Sequence, residues 1–218
     1  MTDQAPPRNS RRRFMLGGGL LAGAWLATSA FSQEDSFVAE ARKGAASEEG
    51  GVSMATRKIT VERISVTSTK SFPEVVANVE GRIGHPDMNT FRSEITKAKS
   101  FHEVQNVVNK AVGPSGFMEF ARFDLGEIVR KERGGKAPQV VRLVIGNPLI
   151  MKQMVEQVPD AGSYAPVTVL VHEQGDGVHL SYDTMASFLA PYGNAEALKV
   201  ARELDAKVEA LLSAAANG

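Results

Sequence analysis

No cysteine occurs among the 218 residues. That excludes disulfides, thiolate zinc sites, Cys-ligated iron–sulfur clusters, covalently attached haem and any thiol nucleophile. Net charge is missing too, since 25 Lys and Arg stand against 25 Asp and Glu. A neutral chain lacks the electrostatic footprint of broad nucleic-acid binding, so no nucleic-acid partner is expected. Gly-x-Ser-x-Gly, Walker, dinucleotide-binding and His-Glu-x-x-His patterns are all absent, so no motif points to a reaction. What is present is apolar material, 43% of the chain, enough for a core. The length suits one domain plus an additional segment.

The additional segment is N-terminal. Ser10-Arg11-Arg12-Arg13-Phe14-Met15-Leu16 resembles a twin-arginine export signal, with Arg11 and Arg12 as its signature pair. The apolar stretch from Phe14 to Ala30 follows, interrupted by Gly17, Gly18, Gly19 and Gly23. Glycine lowers helix propensity and hydrophobicity, which makes the stretch a poor permanent span. A small-residue cleavage site fits at Ala30-Phe31-Ser32, so residues 1–32 are expected to be a signal peptide. An uncleaved anchor is the alternative, as is a start at Met54. Cleavage after Ser32 leaves 21 basic and 24 acidic residues, a mildly acidic periplasmic protein without a polybasic membrane patch. The export machinery is then its first partner. That route carries folded proteins, some already holding a cofactor; no particular cofactor is indicated.

Residues 33–56 read as a flexible tether, small and polar around Ala45-Ala46-Ser47-Glu48-Glu49-Gly50-Gly51. A single domain is expected over 57–215. Ile59, Val61, Ile64 and Val66 predict a first strand with a slip near Arg63. Ser71-Phe72-Pro73-Glu74 is a capping box with an early Pro, and Val75, Val76, Val79 and Ile83 follow at helical spacing. A helical insertion is expected over 86–113, with Met88, Phe91 and Ile95 on one helix and Val104, Val107 and Val108 on another. Windows 66–84 and 95–113 share eight of 19 positions, Gly84 and Gly113 among them. Two capped amphipathic helices converging on the same residue types explain this more simply than a duplication.

Strands follow at 117–125 and 139–145, then a short helix over 149–158. Val167, Val169 and Val171 alternate with polar residues, and Val178, Leu180 and Tyr182 return on the same face after a Gly175-Asp176-Gly177 turn. Asn194 caps a long final helix striped by Leu198, Ala201, Leu204, Val208 and Leu211. Helices, then strands, then a helix indicate an α+β fold with an antiparallel sheet.

Arg142-Leu143-Val144-Ile145-Gly146-Asn147-Pro148, Tyr164-Ala165-Pro166-Val167-Thr168-Val169-Leu170-Val171 and Ser181-Tyr182-Asp183 come in the order and spacing of a known pattern. In these runs the chain resembles the bacterial family called domain of unknown function 302, over roughly residues 57–215. The resemblance implies a TBP-like β-α-β(4)-α core, a curved antiparallel sheet wrapped on a long C-terminal helix, and a homodimer in some relatives. It carries over no activity and no catalytic residue. The insertion is one departure from shorter members. Leu125 is another, where several relatives have a histidine in the Phe-Asp-x-Gly stretch, so no ligand is transferred there.

Four places can carry chemistry. His172 and His179 flank the hairpin turn. A Gly175-Asp176 loop sets them opposite, with Cβ atoms about 5 Å apart, whereas an Asp176-Gly177 loop breaks the pair. With no third ligand in view, no metal site is expected. Met151 and Met154 lie on one helical face, a spacing that suits Cu(I) or core packing. Asn147 and Pro148 open a helix, where an anion or carbonyl could bind, or where Asn147 satisfies the turn. Tyr182 and Asp183 end a strand. The candidate ligand-binding set is therefore Asn147, Pro148, Met151, Met154, Tyr182 and Asp183, with no catalytic residue assigned. The expected function is non-catalytic binding of a small apolar ligand in a cavity between sheet and helix. An enzyme using Asn147, Tyr182 and Asp183, and a structural homodimer, are the alternatives.

Overall fold

The computed structural model describes residues 53–218 apart from Lys136. The expected signal peptide, 1–32, and most of the expected tether, 33–52, lie outside the described residues. The domain begins at Arg57.

β1 (Arg63–Ser68) opens the fold. Ile59 and Val61 stand outside it, so the strand has no slip. Its register with β5 is continuous from Arg63 to Ser68, and Val61 is exposed with no core beneath it. α1 (Phe72–Glu80) follows, and the Glu74 carboxylate accepts from the Ser71 backbone N–H at 3.0 Å, as the capping box requires. Val75 and Val79 on its inner face are fully buried. α2 (Met88–Lys97) and α3 (Phe101–Ala111) fill the insertion, capped by Asp87 and Ser100. They bury Phe91 and Val108 against Met118, a small second core beside the main one.

β2 (Met118–Asp124), β3 (Val140–Gly146), β4 (Val167–Gln174) and β5 (Gly177–Asp183) form an antiparallel meander. β1 joins its far side, in the order β1-β5-β4-β3-β2. The sheet is open, with β1 and β2 as its edges, not closed over the helix. α4 (Leu125–Glu132), absent from the expectation, turns the β2–β3 connection, capped by Asp124. α5 (Pro148–Val155) is shorter than expected, ending before a 3₁₀ turn at Pro159–Ser163. After α6 (Met185–Leu189), the 23-residue α7 (Ala195–Asn217) closes the domain. At 1.5 Å per residue it runs roughly 35 Å.

The period-2 pattern sorts the sheet into two faces. Leu143, Ile145, Val167, Val169, Val171, Leu180 and Tyr182 point into the core, beneath α1, α5 and α7. Ala197 rather than Leu198 begins the buried stripe of α7. The opposite face carries Arg63, Ser65 and Thr67 of β1, His179, Ser181 and Asp183 of β5, Thr168, Leu170 and His172 of β4, and Arg142 of β3. Among the described residues, no helix is long and apolar enough to cross a membrane.

Candidate functional site

β3 and β5 run parallel to each other across β4, so Asn147 and Tyr182 end up at the same end of the sheet. They do not converge there. The Asn147 side chain accepts from Leu149 N–H at 2.8 Å and donates to the Gly116 carbonyl at 2.9 Å. It caps α5 and holds the preceding loop, with its oxygen and its amino group each engaged by the backbone. Pro148 takes the first helical position, where a missing N–H costs nothing. Met151 and the fully buried Met154 follow, and all four residues line a narrow apolar crevice of about 90 Å³ with Phe120 and Leu204.

Tyr182 points into the core and is 2% exposed. Its hydroxyl donates to the Asp205 carboxylate at 2.7 Å, and that carboxylate also accepts from the N–H groups of Met185 (2.7 Å) and Ala186 (3.0 Å). Asp205, on α7, thus caps α6 from a distance and displaces Thr184, the residue in the local capping position. The Thr184 hydroxyl is buried with no hydrogen-bond partner among the described residues. Burial first, and then the Asp205 charge, push the Tyr182 phenol far above its ordinary pKa of 10.0. The phenol stays protonated and donates.

Asp183, the neighbour of Tyr182, points to the uncovered face. Arg63 grips it with two bonds, at 2.6 and 2.8 Å. The hydrogen bond from Arg63, more than its charge, holds the Asp183 carboxyl below the usual range. The pair stands at the rim of a cleft of about 400 Å³. Arg142, Thr168, Leu170 and Ser181 line its floor, and Tyr164 and Phe188 form its end wall.

The end wall is a stacked pair, with ring centroids 4.6 Å apart and planes 10° from parallel. Tyr164 and Tyr192 share a hydroxyl–hydroxyl bond of 3.1 Å, which pushes the Tyr192 phenol up to about 12. On the floor, Arg142 reaches over β4 and donates to the Thr168 hydroxyl at 3.2 Å. It has no carboxylate partner among the described residues. Ser181 is 8% exposed, and what is exposed faces the cleft. The cleft therefore holds two guanidiniums against one carboxylate, a serine and a threonine hydroxyl and an aromatic wall.

The hairpin loop is Gly175-Asp176, so His172 and His179 face each other directly. Their rings stack with centroids 5.4 Å apart. His179 is engaged at both nitrogens, by Asp176 at 2.7 Å and Thr67 at 3.2 Å. Among the described residues, no group of three or more His, Cys, Asp or Glu is placed to hold a metal ion.

The structure thus divides the candidate set. Asn147, Pro148, Met151 and Met154 share one crevice, while Tyr182 and Asp183 border another and point in opposite directions. Arg63, Arg142, Tyr164 and Phe188 were absent from it. Strand alternation could have found Arg142, which is out of phase with the buried Leu143 and Ile145. Asp205 also had a signal, a carboxylate in phase with the apolar stripe of α7.

The model of the family described as Domain of unknown function DUF302 matches residues 91–215. This chain belongs to that family. No curated protein matches it. Among solved structures it is similar to an uncharacterized conserved protein DUF302 from Bacillus stearothermophilus, at 13% identity and a TM-score of 0.49, over 70% of this chain and 97% of that one. The family match starts within α2 and so omits β1 and α1, although β1 pairs with β5 along its whole length.

Proposed function

We propose that the domain is a non-catalytic small-ligand-binding module, and that its ligand sits in the cleft on the uncovered face of the sheet. The observation that carries this reading is the pairing of a concavity of about 400 Å³ with two polar groups on its floor, Ser181 and an Arg142 that has no carboxylate partner among the described residues. Clefts of roughly 300–1,000 Å³ suit small organic molecules. Among the residues lining the cleft, none supplies a nucleophile with a base, since the one carboxylate there is held by Arg63. Arg11 and Arg12 support export by the twin-arginine route to the periplasm. The order β, α, four strands, α, with α2 and α3 inserted before β2, α4 and α5 between strands and α6 before α7, supports the TBP-like class. Native mass spectrometry of protein isolated from the periplasm tests the reading. A small co-purifying molecule is expected, and it should vanish in Leu170→Trp, which fills the cleft. A ligand-free protein, or a ligand retained by that variant, sinks it.

A second reading, a homodimer, is favoured by a different observation. Phe123, Leu125 and Ile128 form an apolar corner where β2 meets α4, exposed by 47, 41 and 75%. Such a patch suits a contact with a second copy. Sedimentation should then give a dimer that Ile128→Asp dissociates.

A further inference from the structure

Resting on the cleft reading, we propose that the ligand is an aryl monocarboxylate. Its carboxylate would be taken by Arg142 and Ser181, and its ring would lie against Tyr164 and Phe188. The charge follows from what each cation already does. Arg63 spends two donors on Asp183, so that pair is internally neutralised. Arg142 makes one bond to a neutral hydroxyl, stands 6.0 Å over the Phe123 ring and keeps its remaining donors. A single guanidinium without a carboxylate partner among the described residues calls for a single negative charge, and its planar fork matches a carboxylate better than a compact dianion.

The second polar group points the same way. A hydroxyl donates as readily as it accepts, and the Ser181 side chain lines the cleft from a residue that is otherwise nine-tenths buried. Ser181 and Arg142 flank Leu170 in one row of the sheet, on the two strands beside β4, and both line the cleft. Asp183, on the same rim, does not oppose an incoming carboxylate as a bare charge would, because Arg63 covers both of its oxygens.

The aryl part follows from the wall. Tyr164 and Phe188 are stacked and fixed, the former also by its bond to Tyr192. Flat, preordered rings next to Leu170 favour a planar apolar body over a flexible chain.

Amide chemical shifts of the full-length protein, titrated with benzoate, benzyl alcohol and inorganic phosphate, test this. Benzoate should move Thr168, Leu170, Ser181 and Phe188 and saturate. Benzyl alcohol should bind at least about tenfold more weakly, and Arg142→Gln should bring benzoate to the same level, as loss of a charge-assisted bond implies. Phe188→Ala should weaken benzoate and benzyl alcohol alike. Equal binding of benzoate and benzyl alcohol, unaffected by Arg142→Gln, overturns the carboxylate assignment and leaves the cleft reading intact. Phosphate binding as tightly as benzoate at these residues overturns the aryl monocarboxylate. If no probe moves cleft residues, both readings fall.

Discussion

At the scale of single residues, hydrogen-bond accounting separates structural polar groups from those free to meet a ligand. Tyr182 is structural, because removing its hydroxyl takes one of three donors from the Asp205 carboxylate. Tyr182→Phe should cost about 1–3 kcal/mol, read by chemical denaturation. Thr184→Val should go the other way, neutral or stabilising by up to about 1 kcal/mol, since it deletes a buried hydroxyl that has no partner. A destabilised Thr184→Val would mean the hydroxyl is bonded after all. Asp183 makes a pH prediction. Its carboxyl lies below the ordinary value of 3.8, so Arg63 favours the ionised form. A depressed acid contributes its stability above the unfolded pKa and loses it as pH falls through the folded one. Melting temperature should therefore decline below about pH 4, and less steeply in Asp183→Asn. Parallel acid limbs for the two proteins would dismiss the linkage.

At the scale of elements, most of the fold was legible, and the misses share a cause. The capping box at Ser71, the Asp87 and Ser100 starts and the alternating valines of β4 are local signals, and local signals located α1, α2, α3 and β4. α4 was invisible because its apolar residues, Leu125, Ile128 and Val129, are exposed and trace no buried stripe. α6 was missed because its cap comes from Asp205, distant in sequence. The cleft was hidden for the same reason: its walls come from β1, β3, the 3₁₀ turn and α6, which only the tertiary fold assembles. The shared Gly84 and Gly113 of the two similar windows acquire a physical reason. A Cβ on Gly84 would stand 1.9 Å from the Ala111 carbonyl oxygen, and one on Gly113 would stand 2.4 Å from Ile83. The two glycines let the ends of α1 and α3 cross, and both donate to the Phe117 carbonyl. Gly84→Ala should thus be severely destabilising, above about 4 kcal/mol. The hairpin yields a milder expectation. With both His179 nitrogens engaged, zinc should bind no better than micromolar, and calorimetry showing nanomolar affinity lost in His172→Ala would refute it.

At the scale of the whole molecule, the question is how much chain one folding unit needs. The family match spans 91–215, but the compact unit begins earlier, at Arg57. Cutting at residue 91 would remove β1 and expose the outer edge of β5, whose six residues from Val178 to Asp183 pair with it. It would also remove Phe72, Val75, Val76, Val79 and Ile83, all buried in the main core. Each such side chain contributes about 1.5–3 kcal/mol on burial. Their sum matches the roughly 5–15 kcal/mol that separates a folded domain from its unfolded chain. The loss would also leave Ser68 absent from its bond to the Ala216 carbonyl on α7, at 2.7 Å. A fragment of residues 91–218 should consequently lack a cooperative melting transition. A fragment of residues 57–218 keeps every one of these contacts and should melt within a few degrees of the full chain. Circular dichroism melts of the two fragments decide the matter. Cooperative unfolding of the shorter fragment would show that β1 and α1 are an appendage to the domain, and the core assignment would have to be redrawn around α7 and the four-stranded meander.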